Sequence, residues 1–358
     1  MLLIIFKKGG EGCDVTVDWF HSDTSCPYLM KIRKPCSLAR LHSNPNRVIL
    51  ANSPELRFIN ALCSGLVDEA VGCFREKKLF GNVPPVVDVP YGRFEGLSEI
   101  REFAEGWLDT FHAQSASVQP VVQTRANGRS VSEVVLNFVV DGQINQVPMF
   151  VVGDLRTADS LDEVRMYCHF TYVPGLTAYR KPMFTPAHLE MGDPGLLTGA
   201  VREYYEALHH VPGVDVDRIM KVMGKNCIFG GYEESEHVTD DKQNYEDIRP
   251  KFEYMKSYIP SGVGMRYETI IDDGRTCVIE WVHIVSEKGQ KEFGRISLSG
   301  IAAYERGDDG LLCAIRISDY AHYEKTIDWT KTPVSKETAM KTNLVKEFPA
   351  GVGRKPQS

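Results

Sequence analysis

The sequence predicts an α+β protein made of two tandem cone-shaped domains, each with helices packed on a strongly curved antiparallel sheet, joined as an intramolecular pseudo-dimer. Three observations predict it. First, the 358-residue chain says nearly the same thing twice. Phe58-Ile59-Asn60-Ala61-Leu62 is answered by Tyr204-Tyr205-Glu206-Ala207-Leu208, and Glu99-Ile100-Arg101 by Asp247-Ile248-Arg249. Asn127-Gly128-Arg129 returns as Asp273-Gly274-Arg275, Gly142-Gln143 as Gly289-Gln290, and Val164-Arg165-Met166 as Ile315-Arg316-Ile317. The offsets, 146, 148, 146, 147 and 151, keep their order and drift as small loop insertions would make them drift. A period of this size is a whole domain, far longer than a solenoid repeat. Second, each copy runs helices first and strands afterwards, the order of an α+β domain rather than of a wound parallel sheet. Third, Asn127-Gly128 and Asp141-Gly142 sit between alternating runs, where they favour the tight reversed turns of hairpins.

The elements follow in order. In the first copy, Pro54 precedes a helix with apolar positions Phe58, Ile59, Leu62 and Leu66, and a short second helix covers 67–74. Residues 86–94 read as a strand and a turn. Ile100, Phe103, Ala104, Trp107, Leu108 and Phe111 then recur at helical spacing behind Ser98 as a cap. Four strand-like runs close the copy, at 117–124, 131–140, 146–152 and 163–172. The second copy repeats this with helices at 199–209, 216–223 and 245–258, and strands at 265–272, 276–286, 292–304 and 312–320. Asp273-Gly274, Lys288-Gly289 and Asp308-Asp309-Gly310 supply its turns. A curved sheet folded over helices leaves a conical cavity closed at its narrow end. The domain bounds are 53–184 and 195–330, with an irregular N-terminal arm at 1–52 and a polar C-terminal tail at 331–358.

Composition narrows the function. Net charge is −7 and no Lys/Arg block is long enough to track phosphates, which argues against nucleic acid. Met1-Leu2-Leu3-Ile4-Ile5-Phe6 is apolar but too short to span a membrane, and Lys7-Lys8 follows it where a secretory signal would have its charge in front. Nine cysteines without a Cys-x-x-Cys suggest reduced, mostly buried thiols and a cytoplasmic location; Cys277 and Cys313 read as small buried hydrophobes. Glu233-Glu234-Ser235-Glu236-His237 with Asp240-Asp241 reads as a solvated loop, with no metal-ligand spacing. Gly262 and Gly264 lack the strand-turn-helix context of a phosphate loop. Neither a metal nor a cofactor is expected.

The run Val87-Asp88-Val89-Pro90-Tyr91-Gly92-Arg93-Phe94-Glu95-Gly96, followed by Ser98-Glu99-Ile100-Arg101-Glu102-Phe103, resembles the "aromatic–Gly…Gly-x-x-x-Ile-x-x-Phe" segment of SnoaL-like proteins. Those belong to the nuclear transport factor 2-like superfamily, together with ketosteroid isomerase, scytalone dehydratase and polyketide cyclases. The resemblance covers 56–179 and, more weakly, 197–327. It implies the cone fold and sheet-to-sheet pairing, so that a tandem copy resembles a covalent version of the family's homodimer. It leaves function open, because the family includes cyclases, isomerases, dehydratases and plain binding proteins. Ketosteroid isomerase chemistry needs a base near the Pro-aromatic-Gly turn, a helix-one Tyr and a protonated Asp on the third strand. Asp88 is near the first position, but anchoring on Pro90-Tyr91-Gly92 puts Val89 there. Phe58 replaces the Tyr in copy one and Tyr204 supplies it in copy two. No oxyanion Asp stands near Val151 or Gly300. That chemistry is not expected.

What remains are polar groups where a cavity should be. His283 and Glu280 are three apart on one strand and so face opposite sides, with Cys277, Ile279 and Trp281 on the His283 face and Val278 and Val282 on that of Glu280. Either group acts as a general base, or His283 is a hydrogen-bonded histidine of the interface between copies. Asp319 ends the last strand and resembles the acid of SnoaL-type cyclases; its other reading is a solvated strand-end carboxylate. Its first-copy counterpart is Cys168. Tyr204 and Tyr205 present a phenol inward or serve as core tyrosines. The catalytic candidates are therefore Asp319, His283, Glu280 and Tyr204. Asp88, Tyr91, Trp107, His112, Tyr205 and Trp281 are the candidate ligand-binding residues, Trp107 having core as its plainer role. The expected function is to enclose a small, mostly apolar molecule and perform cofactor-free acid–base work on it: dehydration, isomerisation or cyclisation. The alternative is a non-catalytic ligand-binding or protein-interaction module. Nucleic acid and membrane are not expected partners; further oligomerisation beyond the pseudo-dimer is left open.

Overall fold

The computed structural model describes residues 3–9, 12–18, 52–74, 83–168, 173, 194–209, 213–231, 248–250, 252–253, 256, 265–294, 296, 299–319, 327–332 and 334–346. Leu3–Gly9 (β1) and Gly12–Asp18 (β2) pair antiparallel, from Leu3↔Asp18 to Gly9↔Gly12. They lie in a unit of their own, Met1–Ser43. The sequence suggested an irregular arm here; its period-2 pattern was too short to stand out.

The first half begins with Pro54–Cys63 (α1), where Pro54 takes the N1 position after Ser53 because its missing N–H costs nothing there. Val67–Gly72 (α2) follows. Val86–Val89 (β3) and Gly92–Glu95 (β4) form a short hairpin. Gly96–Glu105 (α3) starts two residues before the Ser98 expected to cap it, its entry held by the Glu95 N–H donating to Glu99 Oε2 at 2.7 Å. Trp107–Thr110 (α4) leads into four long strands. These are Ser115–Ala126 (β5), Arg129–Val140 (β6), Gln143–Thr157 (β7) and Ser160–Tyr167 (β8). Asn127-Gly128 and Asp141-Gly142 both have positive φ at each residue (52° and 74°; 50° and 74°), the mirror-image turn that suits twisted hairpins.

The second half has Gly199–Leu208 (α5), Val216–Val222 (α6) and Met223–Gly231 (β9), then Met265–Asp272 (β10) and Thr276–His283 (β11). Val285–Ser286 (β12), Glu287–Phe293 (α7), Ser299–Arg306 (β13) and Leu312–Asp319 (β14) complete it. Two expectations are corrected. Lys288-Gly289 is no hairpin turn: it lies inside α7, so the run 292–304 enters as helix, and its described strand is Ser299–Arg306. Residues 223–231 are a strand the sequence reading missed, its alternation blurred by Gly224, Gly230 and Gly231. The Glu233–Asp241 cluster and Gly262/Gly264 lie outside the described residues.

The polar tail also carries regular elements. Lys336–Lys341 (α8) is capped by Ser335, and Leu344–Val345 (β15) pairs parallel with β12. Ile327 and Ala339 are buried.

The sheet orders are β4-β3-β8-β7-β6-β5 and β9-β14-β13-β11-β10. Apart from β4 they match strand for strand, each with a parallel pair (β3·β8, β14·β9) followed by antiparallel ones. Register matches too. Opposite Glu133 the β5 ladder slips between Pro120 and Val122; opposite Glu280 the β10 ladder slips between Tyr267 and Thr269. A bulge at the same rung bends each sheet in the same place.

Alternation gives each sheet two apolar faces. Val134, Leu136 and Phe138 of β6 pack with Phe58, Phe103, Trp107 and Phe111 from the helices. Cys277, Ile279 and Trp281 of β11 pack with Val201, Tyr204, Tyr205 and Ile219. The opposite faces meet each other: Val131, Phe150, Val152 and Tyr167 share one buried cluster with Ile271, Val278, Val282, Ile301 and Ala303. Two charge systems cross this junction. Arg165 bonds Asp154 on its own sheet and Glu280 on the other; Arg316 bonds Glu305 on its own sheet and Glu133 on the other. Arg129 pairs with Asp154 at 2.9 Å as Arg275 pairs with Glu305 at 3.5 Å. Burial pushes the Asp154 carboxyl up, but the Arg165 and Arg129 guanidiniums outweigh it and hold it below the usual carboxylate range.

Candidate functional site

Helix α5 sets one wall of the second half's interior. Val201, Tyr204, Tyr205 and Leu208 recur at helical spacing and are all buried. The β10 bulge leaves Tyr267 on the same interior, and Tyr304 reaches it from β13. Tyr304 Oη lies 3.1 Å from Tyr205 Oη and donates to it. The rings of Tyr205 and Tyr267 meet edge to face at 5.0 Å. Burial pushes all four phenols, Tyr204, Tyr205, Tyr267 and Tyr304, up from their ordinary range, so each stays protonated.

Into this aromatic group projects His209, the residue that ends α5. It is 4% exposed. Its ring stacks on Tyr205 (5.4 Å, 20°) and stands at 90° to Tyr267. Its Nδ1 lies 2.8 Å from the Tyr205 carbonyl oxygen, which also accepts the His209 backbone N–H at 3.0 Å. Two acceptors would repel at 2.8 Å, so Nδ1 carries the proton and donates it to that carbonyl. Nε2 then holds a lone pair, and it is buried with no hydrogen-bond partner among the described residues. Burial lowers the imidazole to about 4, the Tyr205 carbonyl partly opposing. At neutral pH the ring is uncharged and its exposed chemistry is that of an acceptor. Removing a buried polar atom from water without replacing its bond costs about 1–3 kcal/mol, a cost that a ligand donating to Nε2 would remove.

The residues singled out from the sequence fall in different places. Tyr204, Tyr205 and Trp281 belong to this interior. The Trp281 indole lies across Gly300, where a Cβ would come within 2.6 Å of the ring, so only glycine fits beneath it. Glu280 is turned away from it: its carboxylate accepts from Arg165, Tyr167 and Thr269 at the junction of the sheets. Its part in the structure is to join the two halves. His283 ends β11 opposite Met265, and Asp319 ends β14 opposite Gly300; their side chains are outside the described residues. In the first half, Trp107 is core, and Tyr91 stacks on Phe103 at 6.4 Å. Asp88 alternates with Val87 and Val89, which face the helices, and it pairs with Arg93 on the other side at 3.1 Å. It therefore does not rim the first interior. His112 is exposed in the turn after α4, at φ 52°.

Two groups escaped the sequence reading. His209 stands just past the helix end, four residues after Tyr205, and its only signal was that spacing, which continues the helix's buried face. Glu55 is the other. It is fully buried on the first half's inner face, with Ser53, Gln123, Ser130 and Ser132 all donating to Oε1 at 2.6–2.9 Å. Gly153 closes over it, since a Cβ there would lie 3.2 Å from Glu55 Cβ. The first interior is thus knotted by a carboxylate–hydroxyl network, whereas the second presents a phenol–imidazole group.

No protein-family model and no curated protein matches the chain. Among solved structures, it is similar to an NTF2-like protein of unknown function from Cytophaga hutchinsonii (14% identity, 34% of this chain and 93% of that one, TM-score 0.25). It is also similar to a protein with a ketosteroid isomerase-like fold from Catenulispora acidiphila, solved in complex with trimethylamine (14%, 32% and 83%, TM-score 0.27). A candidate polyketide cyclase from Sinorhizobium meliloti gives 11% identity over 32% and 92%, with a TM-score of 0.25. No helix among the described residues is long and apolar enough to cross a membrane.

Proposed function

We propose that residues 53–184 and 195–330 are two copies of one SnoaL-like domain packed sheet to sheet as a pseudo-dimer, and that the second copy binds a small, mostly apolar molecule in its interior. The tandem reading is supported by the matching strand orders, the two bulges at one rung and the doubled Arg–Glu crossing. The binding reading rests on one observation: the buried Nε2 of His209, beside Tyr205 and Tyr267, has no hydrogen-bond partner among the described residues. Turnover of the bound molecule by cofactor-free acid–base chemistry would need a second titrating group beside that imidazole. Asp319, His283 and Tyr204 are the candidates we retain for it; Glu280 is committed to Arg165. Binding is the function the geometry favours.

Native mass spectrometry of the freshly purified full chain tests this. The expected result is a small-molecule adduct, or one acquired on adding apolar aromatic probes, that is lost in His209→Phe. A wild-type chain that neither retains nor acquires an adduct would contradict it.

A further inference from the structure

We infer that the second-copy site selects neutral ligands that offer a hydrogen-bond donor, a phenol or alcohol hydroxyl on a flat apolar body, and rejects their ether and carboxylate analogues. The inference deepens the binding reading above and rests on it.

The argument starts with the proton on His209. Nδ1 lies 2.8 Å from the Tyr205 carbonyl and 3.3 Å from the Tyr267 hydroxyl; the shorter contact assigns the proton to Nδ1, with the Tyr267 oxygen as a second acceptor, and leaves Nε2 able only to accept. A ligand carbonyl or ether oxygen placed there would set lone pair against lone pair. A hydroxyl would make the bond that no described residue makes.

Charge points the same way. Among the described residues, the largely buried guanidiniums of the second half are already engaged. Arg316 is bound to Glu133 and Glu305 at the sheet junction, and Arg306 to Asp272. The interior itself is lined by Val201, Ile279, Trp281 and the tyrosine rings. A carboxylate entering it would shed its water with no cation to meet it among the described residues. The imidazole does not supply one either, because burial holds it neutral down to about pH 4.

Shape comes from the rings. His209 lies along Tyr205 and across Tyr267, so the approach to Nε2 is bordered by aromatic surface, which favours a flat partner in offset or edge contact.

The test is calorimetric titration of the full-length protein at pH 7 with three probes of one shape: β-naphthol, its methyl ether and β-naphthoate. A site built to hydrogen-bond a hydroxyl rejects analogues that lack it, because its own polar atom is left unpaired. Wild-type protein should bind the naphthol at least about tenfold tighter than either analogue. His209→Phe should bring naphthol and ether within about twofold of each other. Circular dichroism of His209→Phe guards against misfolding, and Lys221→Ala, an exposed change outside the site, should retain the preference. Nitrogen NMR of His209 should show Nε2 unprotonated before and after naphthol is added. Equal binding of naphthol and ether by the wild type overturns donor selection while leaving the binding reading intact. So does a naphthol preference that survives in folded His209→Phe. Failure of all three probes to bind overturns the site itself.

Discussion

Arg165 of β8 donates from Nε and Nη2 to the two carboxylate oxygens of Glu280 on β11, at 2.8 and 3.0 Å, across the junction of the two sheets. Arg316 makes the same pair of bonds to Glu133 in the opposite sense. At this junction each half gives what it receives. Both pairs are bidentate and almost fully buried, so each ion has given up its water and depends on its partner.

Truncating one member should therefore cost far more than a surface ion pair. Glu280→Ala leaves Arg165 with Asp154 and Glu163 but strips the donors Tyr167 and Thr269 of their acceptor. A loss of about 3–5 kcal/mol is expected in chemical denaturation. Glu280→Gln, which keeps an acceptor oxygen for Arg165, Tyr167 and Thr269, should lose clearly less, and equal losses in the two variants would show that these bonds do not carry the stability.

The first interior gives a second expectation. Glu55→Ala removes the shared acceptor of Ser53, Gln123, Ser130 and Ser132 in one step and leaves a cavity beneath Gly153. About 2–4 kcal/mol of stability should be lost, and Glu55→Gln, which keeps an oxygen for the same donors, should lose less. Thermal unfolding of the three proteins would rank them; equal stability of Ala and Gln variants would remove the network from the account.

The pH dependence of stability follows from His209. Its folded value, about 4, lies below the ordinary histidine value of 6.5, so the folded state disfavours the proton. The stability this group contributes is fully present above pH 6.5 and is lost as pH falls through 4, a change of roughly 3 kcal/mol. His209→Phe lacks that loss. The stability difference, wild type minus variant, should fall steadily from pH 7 to pH 4. A difference independent of pH would mean that the imidazole is not buried in the neutral form.

Gly300 supplies a local test of packing. The indole of Trp281 occupies the place of a side chain there, and Gly300→Ala must push the ring away from backbone-near contact. A destabilisation of about 1–3 kcal/mol is expected. Trp281→Phe in the same background should relieve it, and fluorescence of Trp281 should report the shift.

Much of this architecture was legible in the sequence because it is written in local signals. Asn127-Gly128 and Asp141-Gly142 name their turns through positive φ, and the alternation of Cys277, Val278, Ile279, Glu280 and Trp281 assigns each residue its face. The repeat of Val164-Arg165-Met166 in Ile315-Arg316-Ile317 marked the two junction arginines, although their partners could not be read, since those lie 115 and 183 residues away. For the same reason Glu280 looked like a possible base: its alternation said which face it takes but not that a guanidinium waits there. His209 and Glu55 were missed because their character comes from tertiary neighbours. A histidine at a helix end and a glutamate in a first helical turn are ordinary until Tyr205, Tyr267 or four hydroxyl and amide donors close around them. The strand 223–231 was hidden by three glycines, and α7 by a Lys-Gly pair that elsewhere marks a turn.

The most direct test of the central claim, that the second interior is a binding site anchored by His209, is a crystal structure of the full chain grown with β-naphthol. The account predicts ligand density in the second interior, its hydroxyl oxygen about 2.7–3.0 Å from His209 Nε2 and its ring against Tyr205 and Tyr267. Density at the sheet junction beside Glu280, or a second interior that stays filled by its own side chains under saturating ligand, would contradict it.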